Sequence, residues 1–287
     1  MKRNTAVITG STGGIGQEVS KILAEEGWNL VLLNRSSPRS ENQCKELKAA
    51  FPDQVFTSYT ADLMDLSEIS EVADEIGNHH PEIHALYNIA GILTDKRLTS
   101  AQGMEGHFVV NVLAPYLLLQ KLRGLLHVAP DTNAKPVIVN LSSSAIQSVR
   151  ELDVSKLPNP DEIGGLMGAY AKSKVAVTMI AEIWEKELTS EGILIHSVDP
   201  GPTKTAMTGG SDGMPWFLRL LRPLIFKSAE AQAMKMVDAV SRAVEEEESG
   251  IFISEGKRKE APAIVHDKEL QSDLRELLEE KTSEFVQ

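Results

Sequence analysis

Eight residues, TGSTGGIG at positions 9–16, carry four glycines between a short apolar run, Thr5–Thr9, and a segment of helical period that begins at Ile15. Glycine has no Cβ, so the chain can turn tightly there and another group can approach its backbone. A helix that opens at such a turn leaves its first N–H groups unpaired and converging, which favours a bound anion. The arrangement calls for a buried strand and a helix returning along it. That is the first half of a βαβ unit, and it sets the class of fold.

The same rhythm repeats. NLVLLN precedes a helical segment at 39–50, and QVFTSYT precedes another at 66–76. The alternation continues through IHALYNIAG, a long helix at about 104–127, KPVIVNLSSS, the helix carrying YAKSK, and GILIHSVDPG. These short runs are mostly rich in Val, Ile and Leu, as strands of a parallel sheet covered on both faces are. The reading is α/β: a single doubly wound domain of Rossmann type over 1–287, with a central parallel sheet flanked by helices. Two segments interrupt it, ELDVSKLPNPDEIGGLMG at 151–168 and an apolar stretch at 206–227. A last helix is predicted at 267–285, where Leu270, Leu274, Leu277 and Leu278 form one packing stripe.

Charge narrows the partners. With 29 Lys+Arg against 41 Asp+Glu and a net charge of −12, the chain lacks the basic balance of a nucleic-acid binder. Cys44 is the single cysteine, which suits a reducing compartment. The N-terminus enters an apolar strand at once, leaving no room for a signal peptide, and no run reaches the ~20 apolar residues of a membrane span. These features predict a cytoplasmic protein. His79, His80 and His84 cluster, but without carboxylate or cysteine companions at ligand spacing they predict no metal site.

Gly10, Gly14 and Gly16, with Ser11, Thr12 and Ile15 among them, suit the pyrophosphate of a dinucleotide. Roughly 20 residues past such glycines an NAD site offers Asp or Glu to the ribose hydroxyls. This chain offers Asn34, Arg35 and Ser36 instead, a set that suits a 2′-phosphate and favours NADP(H) over NAD(H). Asp62, followed by Leu63 in TADL, is placed either to accept from the adenine amino group or to cap the next helix. In NIAG, Asn88, Ala90 and Gly91 end the fourth strand, where small residues let a ribose lie against backbone.

Tyr170 and Lys174 stand four apart and share a helix face, which alone fits a surface contact as well as chemistry. For chemistry at neutral pH, a phenol titrating near 10 must fall by about three units, or roughly 4 kcal/mol. An ammonium ~4 Å away supplies about that much at an effective dielectric of 20.

Taken in order, TGSTGGIG, NIAG, Asn111 in FVVNVLAPY, NLSSSA, YAKSK and DPGPTKT make the chain similar to the short-chain dehydrogenase/reductase family from Thr5 to about Phe252. GHFVVNVLAPYLL and the long insert before the tyrosine resemble its retinol-dehydrogenase-like branch. The resemblance implies Tyr170 as general acid/base, Lys174 as its partner and ribose ligand, and Asn111 as anchor of a proton relay. It implies Ser143 as the substrate-orienting hydroxyl, with Ser144 the alternative, and the 151–168 insert then has to loop out. Past the sixth strand, Pro200 and Gly201 turn the chain across the nicotinamide. Thr203 is implied near the carboxamide and Thr205 near the phosphates. The implied activity interconverts a carbonyl compound and an alcohol. The alternatives are a cofactor-sensing regulatory protein on the same fold, or a nucleotide-sugar epimerase or dehydratase. Family analogy also implies a homodimer or homotetramer built through the long helices. MPWFLRLLRPLIF at 214–226 is expected to close over the pocket and favour bulky lipophilic substrates.

Overall fold

The computed structural model describes residues 3–129, 134–204 and 226–286. One sheet runs in the order β3-β2-β1-β4-β5-β6-β7-β8. Its parallel strands are β1 (Thr5–Thr9), β2 (Asn29–Asn34), β3 (Phe56–Thr60), β4 (Ala85–Asn88), β5 (Val137–Leu141), β6 (Leu194–Asp199) and β7 (Ile251–Ser254). The order reverses between β1 and β4, so Gly10 and Ala90–Gly91 leave the sheet side by side at its carboxyl edge. In open α/β sheets this crevice is where ligands bind.

Strand side chains alternate between two cores. Val7, Val31, Leu86, Ile138 and Ile195 pack with helices α3 (Leu66–His79), α5 (Ala114–Leu122), α6 (Ala169–Ser190) and α8 (Lys268–Thr282). Ala6, Ile8, Leu32, Tyr87 and Val139 pack with α1 (Gly14–Glu25), α2 (Ser37–Ala50) and α7 (Ala229–Glu245). The period of two explains why the strands read as continuous apolar runs.

Beyond the expected parallel strands, β7 pairs with an antiparallel edge strand, β8 (Lys257–Lys259). Their sequence signal, IFI followed by KRK, is short, and a tight turn with positive φ at Glu255 (51°) and Gly256 (80°) joins them.

The long helix near 104–127 is broken. A single α-turn, α4 (Gly106–Phe108), passes into a π-turn over Val109–Leu113 before α5 begins. Pro115, near the start of α5, has no N–H to give to the carbonyl of Asn111, one α-turn back.

The 151–168 insert does not loop out. Leu152, Val154 and Leu157 are buried in the first core, and the Glu105 N–H donates to the Pro158 carbonyl at 2.7 Å. Its apolar residues hold it down against the first core.

Helix α8 lies against α6, with Leu274 and Leu278 buried and the Arg275 guanidinium 5.1 Å from the Trp184 ring. The chain's own helix therefore covers part of α6, one of the two long helices assigned to subunit contact by analogy. Among the described residues no helix is long and apolar enough to cross a membrane. Thr205 and nearly all of the 206–227 segment, with Trp216 and Phe217, lie outside the described residues. The flanks of that segment are joined: the Lys204 N–H donates to Lys227 O at 2.9 Å and the Lys227 N–H to Pro202 O at 3.0 Å.

Candidate active site

Gly10 sits at φ 70°, and a Cβ there would lie 2.9 Å from Ala90 Cα. At Gly16 a Cβ would meet the Gly10 carbonyl oxygen at 2.2 Å. These glycines let β1, α1 and the segment after β4 converge. Gly13, the residue before α1, has nothing within 4 Å of its would-be Cβ. Helix α1 starts without a side-chain cap and without an acidic residue in its first turn. A bare, positively polarised helix end beside open space fits a dinucleotide pyrophosphate.

Thr9, whose side chain the sequence reading did not single out, locks the two sides together: its Oγ1 accepts from the N–H groups of Ile89 and Ala90, both at 3.0 Å. The side chains of Ser11 and Asn34 turn inward. Asn34 Nδ2 donates to Ser11 Oγ at 2.8 Å and Ser40 Oγ at 2.9 Å, while its Oδ1 accepts from the Thr12 N–H at 3.3 Å. Ser11 Oγ in turn donates to Gln43 Oε1 at 2.8 Å. Buried and mutually satisfied, they brace the turn and do not reach toward a ligand. Arg35 is exposed at the end of β2 with the half-buried Ser36 beside it. Asp62 does not cap α3: its Oδ1 accepts from the Met64 N–H at 3.0 Å, and Asp65 makes the cap, accepting from Ser67 N–H at 2.9 Å. Leu63, between them, is half-buried.

On the nicotinamide side, Asn88 donates from Nδ2 to Asn140 Oδ1 across β4 and β5 at 2.9 Å. Asn111, in the π-turn, accepts on Oδ1 from the Ile92 N–H at 2.9 Å and donates from Nδ2 to Ser173 Oγ at 3.0 Å. Gly91 is needed beside it, since a Cβ there would stand 3.0 Å from Asn111 Oδ1 and 3.5 Å from Lys174 Nζ.

Tyr170 and Lys174 are both buried on the first turns of α6. Ser143 is the residue before a 3₁₀ turn, its Oγ accepting from the Ala145 N–H at 3.2 Å and its hydroxyl pulling the Tyr170 phenol down, whereas Ser144 is exposed. Lys174 Nζ donates to the Leu141 carbonyl at 2.6 Å and lies 5.9 Å from the Tyr170 ring centre.

The electrostatics differ from the expectation of an acidified phenol. Burial pushes the Tyr170 hydroxyl up to about 12, with Ser143 pulling it down and the Asp199 charge pushing it up. Burial lowers the Lys174 ammonium to about 8, against the attraction of Asp199. The expectation set an ammonium against the phenol, but here the lysine is turned to a carbonyl and desolvation dominates.

Two buried groups behind Tyr170 had no sequence signal. The Thr94 N–H donates to His107 Nε2 at 3.2 Å, so His107 carries its proton on Nδ1 and gives it to Glu105 Oε1 at 2.8 Å. The imidazole edge meets the Tyr170 ring at 6.1 Å between centres. Pro200–Gly201 follows β6, with Gly201 at φ 79° and Thr203 Oγ1 donating to Gly201 O at 2.8 Å.

Comparison with known proteins agrees with this geometry. The model of the short chain dehydrogenase family matches residues 4–155 and 159–214. Among curated proteins, the chain is 28% identical over 261 residues to the short-chain dehydrogenase/reductase bet4 of Neocamarosporium betae, covering 86% of this chain and 74% of that one. It is 26% identical over 264 residues to retinol dehydrogenase 13 of Homo sapiens, covering 90% and 78%. The crystal structure of a short chain dehydrogenase from Burkholderia cenocepacia in complex with NADP superposes with a TM-score of 0.67 at 21% identity, over 88% of this chain and 97% of that one. The chain belongs to the short-chain dehydrogenase/reductase family of NAD(P)-dependent oxidoreductases.

Proposed function

We propose that the chain is an NADP(H)-dependent oxidoreductase that interconverts a lipophilic carbonyl compound and its alcohol. One observation supports the reading: Tyr170 and Lys174 are buried at the start of α6, and Lys174 Nζ lies 3.5 Å from where a Cβ on Gly91 would stand, just past the end of β4. When bound, the nicotinamide supplies or takes the hydride. The chain's own residues handle the proton and the oxygen. Ser143 holds the carbonyl oxygen, Tyr170 gives it a proton in reduction or takes one in oxidation, and Lys174 holds the ribose. Asn111 has its side chain engaged by Ile92 and Ser173, which leaves its carbonyl, unbonded by Pro115, to anchor a relay water.

For the cofactor, the glycines hold the pyrophosphate, Asp62 and Leu63 meet the adenine, and Arg35 with Ser36 meets the 2′-phosphate. The basic end of β2 and the NADP-bound structural neighbour support NADP(H). Arg35→Ala is expected to weaken NADPH by about tenfold to a hundredfold and to leave NADH affinity near the parent's. Titration with both cofactors measures this; equal losses would refute the assignment.

The apolar 214–226 stretch and the name of retinol dehydrogenase 13 support a lipophilic substrate. A series of aldehydes of increasing chain length tests it. The kcat/KM is expected to climb with length, by up to about tenfold for each few methylenes. A flat series, or a preference for small polar carbonyls, would remove the lipophilic part of the reading.

A further inference from the structure

Helices α5, α6 and α8 border a groove of about 420 Å³, within the range of roughly 300–1,000 Å³ of small-molecule sites. Trp184, at its floor, stands about 15 Å further along α6 than Lys174, at ~1.5 Å per residue. Tyr116 of α5 meets Trp184 there, with ring centres 4.8 Å apart and planes tilted by 48°. The two side chains are only 3% and 1% exposed. Neither the Tyr116 hydroxyl nor the Trp184 indole N–H bonds to any described residue, and neither is sealed inside the protein. What stays open of each side chain lies on this groove. Buried polar groups ordinarily have partners, so two unused donors at one floor call for an acceptor from the groove itself.

The rim is charged, and its charges are already engaged. Glu187 accepts from Arg123 Nη1 at 2.6 Å and from Arg275 Nη2 at 3.3 Å, while Glu279 accepts from Arg275 Nε at 2.8 Å. A third carboxylate, Glu191, lies 3.8 Å from Arg123 Nη1. An anionic ligand would have to displace a carboxylate from these arginines. A cation would meet N–H and O–H donors below, and the place over the indole is taken by the Arg275 guanidinium, 5.1 Å from the ring centre. We propose that this groove is a second small-molecule site, built for an uncharged, flat ring compound that carries a carbonyl oxygen. Its ring packs between the planar guanidiniums of Arg123 and Arg275, with Val286 as an apolar edge. Its oxygen accepts from the indole, which can only donate, and from the phenol. The site does not depend on the reading of Tyr170 as acid/base.

The test uses matched probes on the purified protein. Fluorenone is flat and uncharged with one carbonyl oxygen, fluorene has the same body without the acceptor, and a fluorenone carboxylate adds a charge. Equilibrium dialysis at micromolar probe is expected to show one fluorenone per chain, with fluorene about tenfold or more weaker and the carboxylate no tighter. Tyr116→Phe and Trp184→Phe each delete one donor and keep a ring. Each is expected to weaken fluorenone by about three- to tenfold and to leave fluorene near the parent's affinity. Tyr170→Phe is expected to bind fluorenone as the parent does. The fluorenone-to-fluorene ratio is read on the parent, so it decides the matter even where a variant fails to fold. Absence of fluorenone binding, equal binding of fluorene, or tighter binding of the carboxylate overturns the proposal. Fluorenone lost in Tyr170→Phe but kept in Tyr116→Phe places the probe in the catalytic site and overturns it too. So does a dimer in sedimentation that Arg275→Glu takes apart with no fluorenone bound, since the occupant is then a second copy of the chain.

Discussion

Replacing Tyr170 with phenylalanine is expected to reduce turnover by about 10²–10⁴-fold while leaving NADPH affinity within about twofold of the parent's. The substitution deletes one hydroxyl and keeps the ring, which packs against His107. The cradle formed by Gly10, Gly13 and Gly16 does not involve it. Steady-state rates and a fluorescence titration of NADPH separate the two effects. A variant that reduced its substrate at more than a few per cent of the parent rate would show that the proton comes from another group.

The second large effect is expected at Gly16. An alanine Cβ would stand 2.2 Å from the Gly10 carbonyl oxygen and 2.8 Å from its carbon, both backbone atoms that no rotamer change can move. The turn has to open or α1 has to shift, and either spoils the convergence of N–H groups. Gly16→Ala should therefore weaken NADPH by more than about a hundredfold. It should also cost about 1–3 kcal/mol of stability through overpacking, a fall of several degrees in Tm for a chain this size. Gly13→Ala is the contrast. Gly13 has an extended φ of −174° and open space around its would-be Cβ, so its Tm should match the parent's. Parent-like NADPH binding by Gly16→Ala would contradict the cradle.

Much of this architecture was legible in the residues because parallel strands buried on both faces leave an unmistakable apolar run, and because glycine turns announce where backbones meet. The strand–turn–helix at 5–25 is of this kind, whereas the shared face of Tyr170 and Lys174 followed from their spacing and its role from the family resemblance. What escaped notice depended on tertiary contact. Asn34 reads as a ribose neighbour by spacing, yet its amide is consumed by Ser11 and Ser40 from other segments. The His107–Glu105 pair looks like ordinary helix surface until Thr94 and Tyr170 are packed on it. The 151–168 insert was expected to loop out because of its length, but a few apolar side chains suffice to anchor it. The Tyr170 expectation counted a Coulomb attraction to Lys174, while desolvation of the buried phenol pushes the other way.

The most direct measurement is the rate of NADPH consumption by the purified protein with long-chain and retinoid aldehydes, alongside NADPH binding by fluorescence. An oxidoreductase should show saturable, aldehyde-dependent oxidation that Tyr170→Phe abolishes, with stoichiometric formation of the alcohol. NADPH that binds tightly but is consumed with no carbonyl compound would contradict that account and point to a protein that senses its cofactor.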